Sequence, residues 1–324
     1  MGFTLDEVVV ADIDHAAIVG FDRGVEFHSW VDARVDWSVR WRVWLTPRTA
    51  MHDYDATRRS WNIATRNHNA HKGDQAEFLR SGGDVLFPEE LDLLGDLAGR
   101  RVAHLQCNAG QDSLCLARLG ATVVGIDLSD EAIHFARALS KAAGVAATFD
   151  HAEVVSWMAA TDARFDVAFA SYGAAGWLPD LDAWARGVRR ILVPRGRFVY
   201  VEFHPIVWSI GPDQRLAGDD YFSADPFIEP VGDYVANSGA SLGASAGATP
   251  GANDVPASCW QHGLGDIVSA LAKAGLHVDE LREYPYANGC RLNASLVQSE
   301  GRRWVWPPGV ARVPLMFGLR AIAD

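Results

Sequence analysis

Apolar runs and helical stripes alternate along the chain from about Arg100 to about Phe203. Continuous apolar runs are typical of strands buried in a parallel sheet, and apolar residues three and four apart indicate helices. We therefore predict an α/β fold with a doubly wound sheet. The strands are "RVAHLQ", "TVVGID", "AATF", "FDVAFAS" and "GRFVYVEF", and the helices between them include "GQDSLCLARLG", "SDEAIHFARALSKAAG" and "LDAWARGVRRIL".

The pattern also predicts how one helix begins and ends, and how the sheet continues. Ser129 is a plausible N-cap of "SDEAIHFARALSKAAG", and Gly144 ends that helix. Further along, "GLGDIVSALAKAG" predicts a helix, and "LHVDELREY" and "VPLMFGLRAIA" predict two more strands. The core would then cover 100–204 and resume over 259–324.

Residues 205–258 interrupt this alternation. They contain few helical signals and include "ANSGASLGASAGATPGANDVPAS", a Gly/Ala/Ser tract that cannot build a core. Long loops inside a compact domain are uncommon and are usually functional or disordered. We expect 205–258 to be a lid inserted after the fifth strand.

The N-terminal part of the chain has two further patterns. "DWSVRWRVWLTP" alternates with period two, which predicts a β-hairpin extension over 1–50, and a polar helical stretch predicts a helical cap over 51–99. The N-terminal tryptophans either fasten this hairpin to the core or form an aromatic wall for a planar or cationic substrate. The alternating residues are Trp37, Val39, Trp41 and Val43.

Charge and composition narrow the class of protein. The chain has 324 residues and a formal net charge of −12, which disfavours a nucleic acid or an anionic membrane surface as partner. No apolar run reaches the ~20 residues of a transmembrane helix, and the first residues include acids where a secretory peptide has bases. We therefore expect a cytoplasmic protein. No Cys-x-x-Cys pair is present, and His68 and His71 lack an acid to complete a metal set, so we expect no metal.

The loop after the first predicted strand is the candidate cofactor site. In doubly wound sheets, ligands bind at the carboxyl ends of the strands, where the backbone must turn tightly. In "LQCNAGQ", Asn108 tolerates a left-handed conformation and Gly110 is unrestricted. Asp127, which ends the second strand, would accept both ribose hydroxyls or would cap the next helix. The missing G-x-G-x-x-G pattern gives no pyrophosphate cradle, so a nucleoside with an amino-acid tail fits better than a dinucleotide.

Five motifs in order give a specific resemblance, which covers about Trp61 to the C-terminus. They resemble the class I methyltransferases that depend on S-adenosylmethionine (SAM), in a bacterial branch with HLQC-x-x-G in place of D-x-G-x-G. The resemblance implies a Rossmann-like, seven-stranded doubly wound sheet and SAM as cofactor. The motifs are "HLQCNAGQDSLCLARLGATVVGIDLSDEAIHFAR", "SYG…WLPDLDAWA", "EFHP", "HGLGDIVSALAKAGL" and "PLMFGLRA".

The same resemblance assigns cofactor-binding residues. It places the loop after the first strand under the methionine part of SAM and Asp127 at the ribose. It places Ala152 and Glu153 near the adenine, and Ser171, at the end of the fourth strand, near the sulfonium. Glu153 would alternatively be a solvent-facing acid at a helix start. His104 replaces the usual first-strand acid, so recognition of the methionine amino group is expected to differ. The residues are Gln106, Asn108, Gly110, Asp127, Leu128, Ala152, Glu153, Ser171 and, from the cap, Trp61.

Three residues are candidates for chemistry. Methyl transfer mainly requires alignment in a dry site, and a base helps only where the nucleophile must lose a proton. His204 and Glu202 end the fifth strand on the expected substrate side; His204 is either a general base or a packed histidine. Tyr172 either orients the nucleophile or forms a wall of the SAM pocket.

The sequence thus predicts a SAM-dependent methyltransferase acting on an O, N or C nucleophile of a small molecule, in specialised metabolism. Two alternatives stay open. One is a SAM-dependent enzyme that catalyses an intramolecular cyclisation with release of methylthioadenosine. The other is a SAM-binding protein without catalysis. A homodimer is an additional expectation, while no nucleic acid or membrane partner is expected.

Overall fold

The computed structural model describes residues 53–216, 218–232 and 253–324. The hairpin expected over 1–50, with Trp37, Val39, Trp41 and Val43, lies outside these residues. The Gly/Ala/Ser tract does so too as far as residue 252.

Twelve strands are described, and seven of them form the central sheet. In chain order they are β1 (Arg101–Leu105), β2 (Thr122–Asp127), β3 (Thr148–His151), β4 (Phe165–Ser171), β5 (Leu192–Phe203), β6 (Phe227–Pro230), β7 (Pro256–Cys259), β8 (Leu276–Tyr284), β9 (Tyr286–Asn288), β10 (Val297–Ser299), β11 (Arg303–Val305) and β12 (Met316–Ala323). The order in the central sheet is β3-β2-β1-β4-β5-β12-β8. β1 to β5 pair in parallel, and β12 runs antiparallel to both of its neighbours.

The expected doubly wound, seven-stranded sheet is confirmed. Its order reverses between β1 and β4, which is the switch point where ligands bind in such sheets. β3 begins two residues later than "AATF" indicates, and β5 begins at Leu192, before "GRFVYVEF". Strand ends are set by pairing across the sheet, which local pattern does not show.

Eight α-helices are described: α1 (Tyr54–Ala70), α2 (Gln75–Arg80), α3 (Pro88–Leu94), α4 (Gln111–Arg118), α5 (Asp130–Ala143), α6 (Val154–Ala160), α7 (Leu181–Ile191) and α8 (Leu264–Lys273). The expected ends of α5 are confirmed: the Ser129 side chain accepts a hydrogen bond from the backbone N–H of Ala132, and Gly144 has left-handed φ and ψ. None of the helices in the described part of the chain has both the length and the apolar character needed to cross a bilayer.

Apolar clusters cover both faces of the central sheet. On one face, the ring of Trp184 packs against Phe198 and Tyr200, with centroids 5.2 and 5.7 Å away. On the other, residues of α3, α4 and α5 such as Leu93 and Ile133 pack against strand residues. Each fully buried large side chain contributes roughly 1.5–3 kcal/mol to stability. Because both faces are closed, the ligand site lies at the carboxyl ends of the strands.

The segment 205–258 contains more regular structure than its sequence indicates. A 3-10 helix spans Pro205–Ser209, and β6 and β7 form an antiparallel ribbon. The ribbon is fastened to α1, since Asn253 Nδ2 donates to Ser60 O at 3.1 Å and to Val231 O at 2.9 Å. A further small sheet, in the order β10-β11-β9, lies between β8 and β12 in sequence. Strands of three or four residues give too little periodicity to be predicted.

Candidate active site

One cavity of about 920 Å³ opens at the carboxyl ends of the central strands. Its walls come from the loops after β1, β2, β4 and β5, from the helices α1 to α3, and from the segment 205–232. Most of the residues predicted for the cofactor line it: Trp61, Gln106, Asn108, Asp127, Leu128, Glu153 and Ser171. The structure thus brings together residues that are far apart in sequence.

The loop after β1 turns through a series of left-handed residues. Gln106, Asn108 and Gly110 have φ of 54°, 48° and 79°. Asn108 thus adopts a left-handed conformation that asparagine tolerates. Glutamine rarely adopts this conformation, so the strain at Gln106 could not be predicted from the residue type. A Cβ on Gly110 would lie 2.7 Å from Ala136 Cβ. Gly110 does not itself line the cavity; its role is to bring the start of α4 against α5.

Asp127 is held at the end of β2 by two backbone amides. Asn108 N–H donates to Oδ2 and Ser129 N–H to Oδ1, both at 2.8 Å. Burial raises the pKa of Asp127, and these hydrogen bonds oppose that shift. Each oxygen keeps a further lone pair, so the fixed carboxylate can accept two more hydrogen bonds from a ligand such as a ribose diol.

Gln106 has one end fixed and the other unpaired. Its Nε2 donates to Ala174 O at 2.9 Å, which links the loop after β1 to the loop after β4. Its Oε1 is buried without a hydrogen-bond partner among the described residues. Buried polar atoms of this kind cost free energy unless something completes them. Gln106 therefore offers a hydrogen-bond acceptor to a ligand in the cavity.

His104 does not replace the charge of the usual first-strand acid. Its Nδ1 lies 2.7 Å from Ser113 Oγ, and burial lowers its pKa to about 3, so the ring is neutral. An acid nearby comes from α4 instead: Asp112 lines the cavity and accepts a 3.3 Å hydrogen bond from Ser171 Oγ. Burial raises the pKa of Asp112, while Lys72 and Arg302 lower it.

The residues expected near the adenine differ in their surroundings. The backbone N–H of Ala152 donates to Asp127 O at 2.9 Å, and Ala152 is not among the described residues that line the cavity. Glu153 lines it, but its two oxygens accept the N–H groups of Val155 and Ser156 at 2.8 and 2.7 Å. Glu153 is thus the N-cap of α6, and its contact with the cofactor stays a prediction.

Tyr172 lies in the cavity wall at the end of β4. Its φ is 33°, and its ring centroid lies 5.2 Å from that of Phe203. Asn288 Nδ2 donates to its hydroxyl oxygen at 3.0 Å. Burial raises the pKa of Tyr172 well above its usual value, so the hydroxyl stays protonated and can donate a hydrogen bond but cannot act as a base.

Glu202 is saturated by four hydrogen bonds from the protein. Its Oε1 accepts the N–H groups of Gly173 and Phe203, at 2.6 and 2.7 Å. Its Oε2 accepts from Ala174 N–H at 2.8 Å and the Tyr200 hydroxyl at 2.7 Å. Burial raises the pKa of Glu202, and these hydrogen bonds oppose that shift. Because all four donors come from the protein, the geometry favours a role in holding the loop after β4, and the expected catalytic role stays a prediction.

His204, the candidate general base, contacts other protein groups through both ring nitrogens. His204 is buried and is not among the described residues that line the cavity. Its Nδ1 accepts the backbone N–H of Ile206 at 3.2 Å, and its Nε2 lies 3.0 Å from Glu283 Oε1. These contacts favour the packed histidine of the alternative interpretation, and the general-base role stays a prediction. Burial lowers its pKa, although Glu283 raises it.

Sequence reasoning missed several buried polar residues of the cavity wall, among them Glu90 and Gln261. Glu90 is 1% exposed; Phe87 N–H donates to its Oε2 at 2.7 Å, and its Oε1 has no hydrogen-bond partner among the described residues. Burial, and then the charge of Asp112, raises its pKa to about 8. Gln261 Nε2 is likewise buried, and it has no hydrogen-bond partner in the part of the chain that the structure describes. In sequence, Glu90 is indistinguishable from the acids common in the first turn of a helix.

The structure shows no arrangement for a metal in its described part, where no three or more His, Cys, Asp or Glu side chains are grouped to hold an ion. The cavity at the carboxyl ends of the strands is the candidate site, and the chain that forms it can now be compared with known proteins.

Residues 102–196 match the family model described as "Methyltransferase domain". An uncharacterised methyltransferase of Synechocystis is 32% identical over 141 residues, which are 41% of this chain and 62% of that protein. A ubiquinone biosynthesis O-methyltransferase of Ralstonia nicotianae is 32% identical over 108 residues, 33% of this chain and 45% of that protein. The chain therefore spans less than two thirds of the length of these relatives.

Solved structures share the fold at low identity. A putative SAM-dependent methyltransferase of Listeria monocytogenes superposes with a TM-score of 0.50 and 18% identity, over 73% of this chain and 95% of that one. A SAM-dependent methyltransferase of Clostridium acetobutylicum superposes with a TM-score of 0.50 and 13% identity, over 74% of this chain and 93% of that one. Residues 102–196 are thus similar to a methyltransferase domain, and the chain shares its fold with SAM-dependent methyltransferases. The HLQC-x-x-G branch is not resolved by these comparisons.

Proposed function

We propose that this chain is an active methyltransferase that transfers the SAM methyl group to a small molecule. The observation that carries the proposal is the convergence of Gln106, Asn108 and Asp127 on one wall of the cavity, within the matched domain. The volume of about 920 Å³ supports a small-molecule acceptor, since ligand pockets span roughly 300–1,000 Å³. The net charge of −12 supports the same class over a nucleic acid.

The cavity wall fits the cofactor chemically. SAM supplies a methyl group on a sulfonium, together with a ribose diol and an ammonium group that donate hydrogen bonds. Asp127 offers two fixed oxygens for the diol, and Gln106 offers its unpaired Oε1 for the ammonium group. Leu128 lines the same wall and would pack against the nucleoside.

The acceptor side is built by the loops after β4 and β5. Tyr172 and Phe203 supply ring surface, and the Tyr172 hydroxyl can orient a nucleophile. Glu202 positions this wall through the amides of Gly173 and Ala174. The nucleophile atom, a role in specialised metabolism and a homodimer stay predictions. We infer that alignment and exclusion of water are the main contributions of this arrangement to catalysis.

Product analysis separates this proposal from its two rivals. Methyl transfer yields S-adenosylhomocysteine, whereas cyclisation yields methylthioadenosine. A protein that binds SAM without catalysis releases neither. Liquid chromatography with mass detection of the nucleoside products, with a panel of small acceptors, therefore tests the function directly; methylthioadenosine as the sole product would overturn it.

Replacing Asp127 by Ala should weaken SAM binding by about 1–3 kcal/mol, the cost of lost hydrogen bonds to a charged group. Titration calorimetry with SAM measures this, and NAD serves as the comparison ligand. Asp130→Asn is the control, because Asp130 is close in sequence but pairs with Arg58 and is not among the described residues lining the cavity. Equal SAM affinity in the Asp127 variant and the wild type would remove Asp127 from the site.

We also propose that the segment 205–258 is a lid over the acceptor. Support comes from its residues Pro205, Trp208 and Phe227, which line the cavity, and from the ribbon's attachment to α1. Shortening the Gly/Ala/Ser tract should lower turnover and acceptor affinity and leave the SAM dissociation constant unchanged. Steady-state kinetics and calorimetry check this. Unchanged turnover and acceptor affinity would contradict a lid.

A further inference from the structure

We propose that the acceptor carries a protonated amine, and that Glu90 binds this ammonium group and takes its proton. The inference rests on the proposed function and adds the chemical class of its substrate. It concerns a residue of α3 that neither the motifs nor the relatives indicate.

The first argument is the unfinished coordination of Glu90. One carboxyl oxygen is fixed by the backbone N–H of Phe87 at 2.7 Å. The other, Oε1, is buried in the wall of the cavity without a hydrogen-bond partner among the described residues. A side-chain hydrogen bond with the Tyr172 hydroxyl lowers the pKa of Glu90, while Oε1 itself has no hydrogen-bond partner among the described residues. A carboxyl group with one fixed and one unpaired oxygen is prepared to accept a hydrogen bond from a ligand.

The second argument is the distribution of cations. The neighbouring acids have resident partners: Glu89 pairs with Arg303, and Asp112 is stabilised by Lys72 and Arg302. Glu90 forms no ion pair with any described residue, although it is the most deeply buried of the three. An isolated buried carboxylate is costly, which is why its pKa rises to about 8 when no cation is beside it. A ligand ammonium would supply the missing charge.

The third argument is location. α3 packs against β5 and β12, and Glu90 lies near Tyr172, which follows β4. The ribose-binding Asp127 ends β2, and the sheet order puts β1 and β4 between β2 and β5. Glu90 is therefore on the acceptor side of the cavity.

Aromatic rings near Glu90 add to its fit for a cation. Tyr172 packs between Phe87 and Phe203, with centroids 6.3 and 5.2 Å from theirs, and all three residues line the cavity. Ring faces attract ammonium groups. One face of Phe87 already carries the guanidinium of Arg302, at 4.3 Å, which leaves Tyr172 and Phe203 for a ligand.

The proton step balances without any further reactant. An ammonium nitrogen has no free electron pair. When Oε1 of the Glu90 carboxylate takes one proton, the N–H bond breaks, its electron pair stays on nitrogen, and an O–H bond forms. The neutral amine is then a nucleophile.

Binding of matched probes tests the inference on the full chain. With S-adenosylhomocysteine present, so that no transfer occurs, calorimetry compares benzylamine, phenylethylamine and tryptamine with benzyl alcohol, phenylethanol and tryptophol. We expect at least one amine to bind ten times or more tightly than the alcohol of the same skeleton. If no amine exceeds its alcohol while S-adenosylhomocysteine still binds, the amine inference is overturned and the methyltransferase proposal stands. If S-adenosylhomocysteine itself does not bind, the proposed function fails first.

Variants of α3 assign the effect to Glu90. Glu90→Gln should lower the affinity of the preferred amine at least tenfold and leave that of S-adenosylhomocysteine within twofold. Asp92→Asn is the matched control, because Asp92 lies on the same helix, is exposed and pairs with Arg282. Weaker S-adenosylhomocysteine binding in Glu90→Gln, with amine binding intact, would place Glu90 in the cofactor site and overturn the inference. The comparison of amines with alcohols on the wild type holds even if the variant does not fold.

The pH dependence of binding gives a readout that a purely structural role would not produce. Asp112, Glu89 and Tyr172 are the ionisable groups that face Glu90. Below about pH 8 the free carboxyl is protonated, so a bound ammonium must displace that proton. Amine affinity should therefore rise as the pH approaches 8 in the wild type and stay flat in Glu90→Gln. A flat wild-type profile would contradict ionisation of Glu90 on binding.

Discussion

Replacing Gly110 by Ala is expected to lower the free energy of unfolding by about 2–4 kcal/mol and to abolish SAM binding at concentrations that saturate the wild type. Two effects add. A left-handed residue with a Cβ costs roughly 1 kcal/mol. The new methyl carbon would also lie 2.7 Å from Ala136 Cβ and 2.8 Å from the Phe149 ring, and such overpacking costs about 1–3 kcal/mol. Relief of the clash would move the start of α4 and with it the cofactor loop.

Gly144→Ala separates the two effects. Gly144 is also left-handed, with φ of 70°, but a Cβ there meets nothing within 4 Å. This control should lose only the conformational part, about 1 kcal/mol, and should bind SAM normally. Denaturant unfolding and calorimetry on both variants check the prediction. Equal losses in the two variants would show that close packing at Gly110 is unimportant.

The sheet could be predicted from sequence because burial on both faces leaves a local signature. "TVVGID" and "FDVAFAS" are apolar at consecutive positions, as expected of strands covered on both sides. The short strands β6, β7, β9, β10 and β11 have no such signature. They are held by pairing and by contacts such as that of Asn253 with α1, which involve residues far apart in the chain.

The cofactor wall was predictable for a related reason. Asp127 and Asn108 follow directly on strands, so their place at the edge of the sheet follows from the alternation alone. Gly110 was also identifiable, because a tight turn demands its conformation. The strain at Gln106 was not, since glutamine carries no preference for the left-handed conformation.

The chemistry of the individual carboxyl groups was not predictable. Glu90, Glu153 and Glu202 are the same residue type, and each lines the cavity. Glu90 has an unpaired oxygen among the described residues, Glu153 caps a helix, and Glu202 accepts hydrogen bonds from four donors. What distinguishes them is the number of donors around each oxygen, and two of the four donors to Glu202 come from residues far from it in sequence.

Glu202→Ala gives the second large effect, a loss of about 3–5 kcal/mol in the free energy of unfolding. The substitution leaves three backbone N–H groups and the Tyr200 hydroxyl without their acceptor. Each buried unsatisfied donor costs about 1–3 kcal/mol, but Gly173 is exposed and water can reach its amide, so the total is less than the sum. SAM binding should weaken as well, because Ala174 also anchors Gln106.

Two further variants distinguish this positioning role from the catalytic role expected from sequence. Glu202→Gln keeps one acceptor oxygen but places an NH2 group against donors that need an acceptor. Its loss in the free energy of unfolding should therefore be intermediate. Glu283→Ala, which removes the half-exposed partner of His204, should cost less than about 1 kcal/mol. Chemical denaturation and SAM calorimetry measure all three. If Glu202→Ala unfolds like the wild type and binds SAM normally but loses methyl transfer, Glu202 is a base after all. If stability and SAM affinity fall together, the carboxylate acts by holding the loop after β4 in place.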